Sequence, residues 1–304
     1  MSLRIGAARV DRVEEQRVSI PIAALTDDDD FLAGRIAPLP NGFLDPESMT
    51  FQFCFQSWVV RVDGLTILVD PCNGNGRKRG NVPIFDDLET PYLERLAALG
   101  TPAEAIDLVF CTHMHNDHCG WNTQQVDGRW VPTFPNASYV FVDVEYARWD
   151  TSSSDVHPND FNVSVFDESV RPVVEAGQAK IVSLPYALSP CVTVELAVGH
   201  TVGHAMLRLE CDGATAWFVG DVVHHPVQVF RPELHLPGCD DLTAAIATRR
   251  SLFGRASANG AILFPAHFAA PHHGRVEVDT DEEFSFVAGG APGSLEPAGS
   301  RSTP

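Results

Sequence analysis

Short apolar runs recur along the chain between clusters of Gly, Pro, Asn and Asp. Phe51–Val62, Leu65–Val69, Leu108–Cys111, Ser138–Val142, Val192–Val198, Ala205–Cys211, Ala214–Val219 and Ala261–Phe264 have strand length and composition. Helical spacing of apolar positions occurs at Thr90–Leu99, Val144–Trp149 and Asp241–Ser257. Val276-Glu277-Val278 predicts an edge strand. Some strands follow each other directly and others alternate with helices. That mixture predicts an α+β chain of two packed sheets with helices outside. Alternation alone fits a single doubly wound sheet as well. The expected organisation is an N-terminal extension over residues 1–48, one domain over 49–287 with a possible lid at 150–167, and a disordered Gly/Ala/Pro/Ser-rich tail over 288–304.

Several of these strands end in a chemically capable residue. Val69 is followed by Asp70, Cys111 leads into His113, Val198 into Gly199-His200, Val219 into Gly220-Asp221, and Phe264 into Pro265-Ala266-His267. Loops at strand ends are where such folds place chemistry, so five ends on one rim would build one site.

Composition narrows the ligand. The 304 residues carry 21 Lys plus Arg against 40 Asp plus Glu, a formal charge of −19. Such a surface repels nucleic acid and anionic membranes, and points to a small-molecule substrate. Seven cysteines without a C-x-x-C pair indicate neither a disulfide framework nor a zinc ribbon. No secretory signal or membrane-length apolar stretch is visible, so a cytoplasmic location is expected. The run Asp27–Asp30 lacks the spacing of a calcium loop and reads as a solvated turn.

The strongest signal is His113-x-His115-x-Asp117-His118. Four potential ligands within six residues, directly after an apolar strand, would crowd imidazoles and a carboxylate together, a cost that a divalent cation offsets. Residues two apart on an extended strand face one side, so His113 and His115 can share one metal. Asp117 and His118 follow once the chain turns and can serve a second, adjacent position.

The segment Thr112-His113-Met114-His115-Asn116-Asp117-His118 resembles the signature of the metallo-β-lactamase superfamily. Gly199-His200-Thr201, Gly220-Asp221 and His267 match its later elements in order. The resemblance implies the αββα fold and two divalent metal ions, with zinc the default and manganese, iron or cobalt compatible. It implies that His113, His115 and His200 hold one metal, that Asp117, His118 and His267 hold the other, and that Asp221 bridges them. It places Asp70 behind a ligand histidine as an orienting group.

Within that superfamily, redox di-iron relatives carry Glu at the position of His115. Persulfide-oxidising relatives lack the second-metal set. Cysteine-ligand β-lactamases carry Cys at the position of Asp221, and nuclease branches need a basic exosite. The acyl-homoserine lactonase and methyl parathion hydrolase group remains. It is similar in Phe134-Pro135-Asn136-Ala137-Ser138-Tyr139 with Glu145 and Trp149, and in Gly220-Asp221-Val222-Val223-His224-His225-Pro226-Val227-Gln228. Lactonases of the group carry Tyr where this chain has His224, so an imidazole would have to donate a hydrogen bond or a proton there.

The implied reaction is opening of a lactone or ester of a small, partly apolar molecule by a metal-bound hydroxide, with Asp117 managing the proton and His224 assisting. Phosphotriester or β-lactam cleavage is the alternative on the same site, and a non-catalytic metal-binding sensor the alternative of another class. A homodimer is a weaker implication of the resemblance. Trp58, Trp121, Trp149, Phe161 and Phe268 are candidates for an apolar pocket wall, although core packing accounts for each. His157 could line a pocket. His204 is expected to pack structurally, His272 and His273 to be exposed, and Gly74 and Gly76 to form a turn.

Overall fold

The computed structural model describes residues 2–24, 26, 39, 42–80, 82–152, 162–234, 238–279 and 283–290. Asp27–Asp30, residues 153–161 of the expected lid with His157 and Phe161, and the tail from 291 onward lie outside the described residues.

The chain enters with β1 (Ser2–Ile5), β2 (Ala8–Pro21), β3 (Leu44–Asp45), β4 (Thr50–Val62), β5 (Leu65–Val69) and β6 (Leu108–Phe110). A separate hairpin, β7 (Thr123–Val126) and β8 (Arg129–Pro132), precedes β9 (Ser138–Val142) and β10 (Ala179–Val182). The first sheet has the order β1-β2-β4-β5-β6-β9-β10, with β3 paired to β4. Its members β5, β6, β9 and β10 run parallel. The second sheet follows chain order: β11 (Tyr186–Ser189), β12 (Val192–Leu196), β13 (Ala205–Cys211), β14 (Ala214–Gly220), β15 (Ile262–Pro265), β16 (Gly274–Val278) and β17 (Phe284–Ala288).

Both faces of the central strands are buried, each against a different layer. Val60, Ile67, Val69, Phe110, Val140, Leu207, Phe218 and Phe264 meet between the sheets. Their neighbours Val59, Leu68, Val109 and Tyr139 face outward from the first sheet. There they pack under α1 (Tyr92–Ala98), α2 (Asn116–Cys119), α3 (Asp143–Trp149), α4 (Val163–Ser169) and α5 (Arg171–Glu175). Met206, Trp217, Val219 and Leu263 face outward from the second sheet, under α6 (Val227–Phe230) and α7 (Leu242–Asn259). Strict two-residue alternation between two apolar layers explains why these strands read as unbroken hydrophobic runs. The result is the αββα sandwich.

Trp58 ties the sheets together. Its ring meets Phe264 edge-on at 4.9 Å, and its Nε1 donates to the Pro265 carbonyl at 3.2 Å. Removing such a buried aromatic costs roughly 3–5 kcal/mol. The longest helix, α7, starts where Asp241 accepts from the Ala244 amide at 2.9 Å, and stops at Gly260 in the left-handed region.

Some expectations change. Val276 is not on an edge, because β16 pairs with β15 on one side and β17 on the other. His272 and His273 are buried rather than exposed. Their loop packs beside Leu3, Val10 and Arg12 of β1 and β2, and His273 stacks on Phe264. Trp58, Trp121 and Phe268 pack in the core, and the cavities that Trp58 and Trp121 also line include none of the clustered donors. No helix among the described residues is long and apolar enough to cross a membrane.

Candidate metal centre

The site begins at the carboxyl ends of β5 and β6. Asp70 leaves β5 with φ at 52°, a left-handed conformation that Asp tolerates better than most residues. Its Oδ1 accepts from the Thr112 amide at 2.7 Å, and its Oδ2 accepts from the Thr112 hydroxyl at 2.9 Å. The same Oδ2 lies 3.0 Å from His118 Nδ1. One carboxylate thus fixes the start of the His113–His118 turn and lies against the ring at its end. The second sheet approaches at Thr112, whose carbonyl accepts from the Ala205 amide at 2.8 Å.

Asp221 arrives from β14 through Gly220, with φ at +48°. A Cβ there would sit 2.6 Å from Thr112 Oγ1 and 2.8 Å from His204 Nε2, so only glycine passes. His204 is buried and its Nε2 accepts the Asp221 amide at 3.1 Å, a backbone-positioning role. His267 follows β15, and its Nδ1 faces the Cys54 carbonyl at 3.1 Å.

The structure brings together His113, His115, Asp117, His118, His200, Asp221, His224 and His267. Beside the groups His113–His118–Asp221 and His200–Asp221–His224, their donor atoms form two sets that share no residue. In one, His115 Nδ1 lies 3.0 Å from both His113 Nε2 and His200 Nε2. In the other, His118 Nε2 and His267 Nε2 lie 3.3 Å apart, with Asp117 Oδ2 at 3.7 and 3.5 Å from them. Asp221 stands between the sets. Its Oδ2 is 3.4 Å from His200 and 3.9 Å from His113, whereas its Oδ1 is 3.3 Å from His118 and 3.0 Å from His267. His224 Nε2 is 3.1 Å from Asp221 Oδ2, and its ring lies parallel to that of His267 at 5.8 Å. His224 Nδ1 is buried with no hydrogen-bond partner among the described residues.

The electrostatics divide the same way. Burial holds the His113 and His200 rings well below the ordinary histidine pKa, reinforced by neighbouring imidazoles. Burial opposes charge on His118 too, but Asp221, Asp117 and Asp70 outweigh it and raise that ring well above the ordinary value. His267 is raised against burial by Asp221 and Asp117. Burial also opposes ionisation of Asp221, yet His118, His267 and His224 hold its carboxyl well below the usual range.

Three features were not picked out as parts of the site from the sequence. Thr112 is a bridge between Asp70 and the second sheet. Phe55 meets the His267 ring edge-on at 4.8 Å and touches Phe85, forming an aromatic wall. Glu145 lies fully buried behind the histidine turn; the sequence marks it as part of the resemblance to the lactonase group but gives it no role in the site. Trp149 alone among the expected wall residues described here stands beside a ligand-set histidine, with its ring 5.7 Å from that of His115.

Two sheets closed over a His/Asp cluster at one rim define a class of metal-site sandwich proteins, in which donor sets this close can hold cations. A sequence model of the metallo-beta-lactamase superfamily matches residues 56–267, and the chain belongs to that superfamily. A search of curated protein sequences returns no match. Among solved structures, the chain is similar to the hydrolase AbOPH at 22% identity and TM-score 0.79, covering 95% of this chain and 97% of that one. It is similar to AidC, a dizinc quorum-quenching lactonase solved with a homoserine product, at 20% identity and TM-score 0.72, with the same coverage. An N-acyl homoserine lactone hydrolase with its product at the metal centre aligns at 15% identity and TM-score 0.59, covering 89% of this chain and 96% of the other. At these identities the likeness is one of fold.

Proposed function

We propose that the protein is a dinuclear metal hydrolase that opens a lactone or ester of a small, partly apolar molecule. The observation that carries this reading is the position of Asp221, with one oxygen toward each donor set. The donor chemistry fits a pair of cations. His115 Nδ1 faces two imidazole nitrogens at 3.0 Å and can share a proton with only one at a time. A cation satisfies all three lone pairs at once.

In this reading His113, His115 and His200 would hold one cation and Asp117, His118 and His267 the other, with Asp221 facing both donor sets. Zinc suits the donors, and manganese, iron and cobalt are compatible. The two ions supply Lewis acidity toward a carbonyl oxygen and make hydroxide available near neutral pH. Asp70 keeps the His118 Nδ1 proton in place, so that Nε2 presents its lone pair to the centre. Asp117, the most open of the set, carries the proton from the attacking water to the departing alkoxide. His224 donates a ring N–H to the substrate oxygen. Phe55 and Phe85 form an apolar side beside His267, and the −19 charge disfavours polyanionic substrates.

The test is a metal count on the purified chain together with a panel of lactones, aryl esters, phosphotriesters and β-lactams. Two metals per chain and fastest turnover on a lactone or ester is the expected result. Turnover confined to phosphotriesters or β-lactams would move the substrate class. Two metals without turnover of any of the four classes would reject an enzyme and favour a sensor.

A further inference from the structure

We propose that Glu145 is a positioning residue that shapes one of the two donor sets, His113, His115 and His200, and leaves the other to be built without it. The inference rests on the dinuclear reading above.

Glu145 lies on α3, far in sequence from every donor, and its side chain is buried. Its Oε1 accepts from the Met114 amide at 2.9 Å and from Trp149 Nε1 at 2.7 Å. Its Oε2 accepts from the Thr201 hydroxyl at 2.7 Å and from the Gly203 amide at 3.1 Å. Every one of these donors adjoins the same set. Met114 sits between His113 and His115, Thr201 follows His200, and the Trp149 ring packs on His115. The Met114 carbonyl is held in turn by Asn162 Nδ2 at 2.6 Å, so both peptide groups that flank the Met114 Cα are held. The approach is close enough that a Cβ at Gly203 would fall 2.3 Å from the Glu145 backbone nitrogen.

A buried carboxylate is costly, and burial pushes this one's pKa up. Four converging donors offset that cost, because an ionised carboxylate is the one side-chain group with acceptor sites for all of them and no proton of its own to misplace. Glutamine has nearly the same shape, but it would turn an NH2 group onto two of those donors. Thr201 can rotate its hydroxyl to accept, whereas the Met114 and Gly203 amides cannot. The charge of Glu145 is therefore needed to hold the two loops in register. Among the described residues none of its hydrogen bonds reaches Asp117, His118 or His267; His118 lies against Asp70 and His267 against the Cys54 carbonyl.

The test uses the full chain loaded with zinc or cobalt, with metal affinity read by chelator competition. E145Q is expected to weaken one of the two metals by about 10- to 100-fold, the scale seen when groups behind metal ligands are changed. In a His118→Gln background, where the retained metal occupies the His113 set, E145Q weakens that metal and shifts its cobalt absorption. In a His113→Gln background it leaves the retained metal unchanged. T201V removes one donor and gives a smaller loss of the same selectivity; it carries the test if E145Q fails to fold. Equal weakening of both metals, or none in E145Q and T201V, overturns the inference while the two-metal reading stands. A wild-type chain that takes up no metal removes both.

Discussion

The two donor sets sit on either side of one carboxylate, yet they are built by different means. His113, His115 and His200 are three imidazoles that the surroundings drive toward the neutral form, and their loops are gripped through backbone amides. Asp117, His118 and His267 are packed among carboxylates, which draw protons onto the two rings. The first set presents lone pairs at neutral pH without help. The second must release protons as a cation enters, so its affinity should fall more steeply with acid. A site that looks symmetric in its ligand list is therefore asymmetric in how it is filled.

Asp221 is the one residue common to both sides, and removing it should have the largest effect. Asp221→Ala leaves two imidazole groups with no shared anion between them. The expected outcome is loss of at least one metal per chain by elemental analysis, and a drop in hydrolysis of roughly 1,000-fold or more. Two tightly held metals in this variant would break the comparison at its centre.

His224 belongs to neither set in the proposed reading, and the next variant tests that separation. His224→Phe should lower kcat about 100-fold, the lower range for a positioned acid or hydrogen-bond donor, with both metals retained. His224→Tyr restores a donor at the ring tip and should recover part of the loss. Loss of a metal in His224→Phe would instead place this imidazole among the ligands, which its 3.1 Å approach to Asp221 Oδ2 makes a direct alternative.

How much of this arrangement the chain discloses beforehand depends on whether a residue's role is local. The donors are legible because the run from His113 to His118 is dense, and because His200, Asp221 and His267 each follow an apolar strand. The central strands are legible because they are buried on both faces. β2 is not, since Ala8–Pro21 alternates Val and Ile with Arg, Glu and Gln, and its identity as a strand comes from pairing with β4 along its length. The burial of His272 and His273 is illegible for the same reason, because the covering residues Leu3, Val10 and Arg12 lie on β1 and β2, whose pattern does not mark them as strands. Glu145 shows a third kind of limit. Its meaning lies in four donors converging from three parts of the chain, and no spacing in the sequence encodes that.

Asp70→Asn acts chiefly on the second set. Its carboxylate orients His118 and holds Thr112, so the amide variant should weaken the metal held by Asp117, His118 and His267 by about 10- to 100-fold, with smaller change at the other. Set beside E145Q, it gives two variants with opposite selectivity. If both variants weakened the same metal, the division into separately supported halves would fail.

The smallest expected effect is in the metal-free protein, where the halves should give opposite slopes of stability with pH. His118 has a folded pKa above its ordinary value of 6.5, so its contribution is complete below that value and is lost as pH rises through the folded pKa. His113 and His200 have folded values well below 6.5. Their contribution is complete above 6.5 and is lost as pH falls through the acid range. Each pKa unit of difference corresponds to about 1.4 kcal/mol at most, a shift of a few degrees in a domain of this size. His225 gives a reference outside the site: burial brings it down to about 3, so it adds to the acid limb in every variant. Tm measured against pH should therefore show a flatter alkaline limb in His118→Gln and a flatter acid limb in His113→Gln. Equal slopes in the two variants would mean that the carboxylates around His118 do not hold its proton, and that the asymmetry of the empty site is absent.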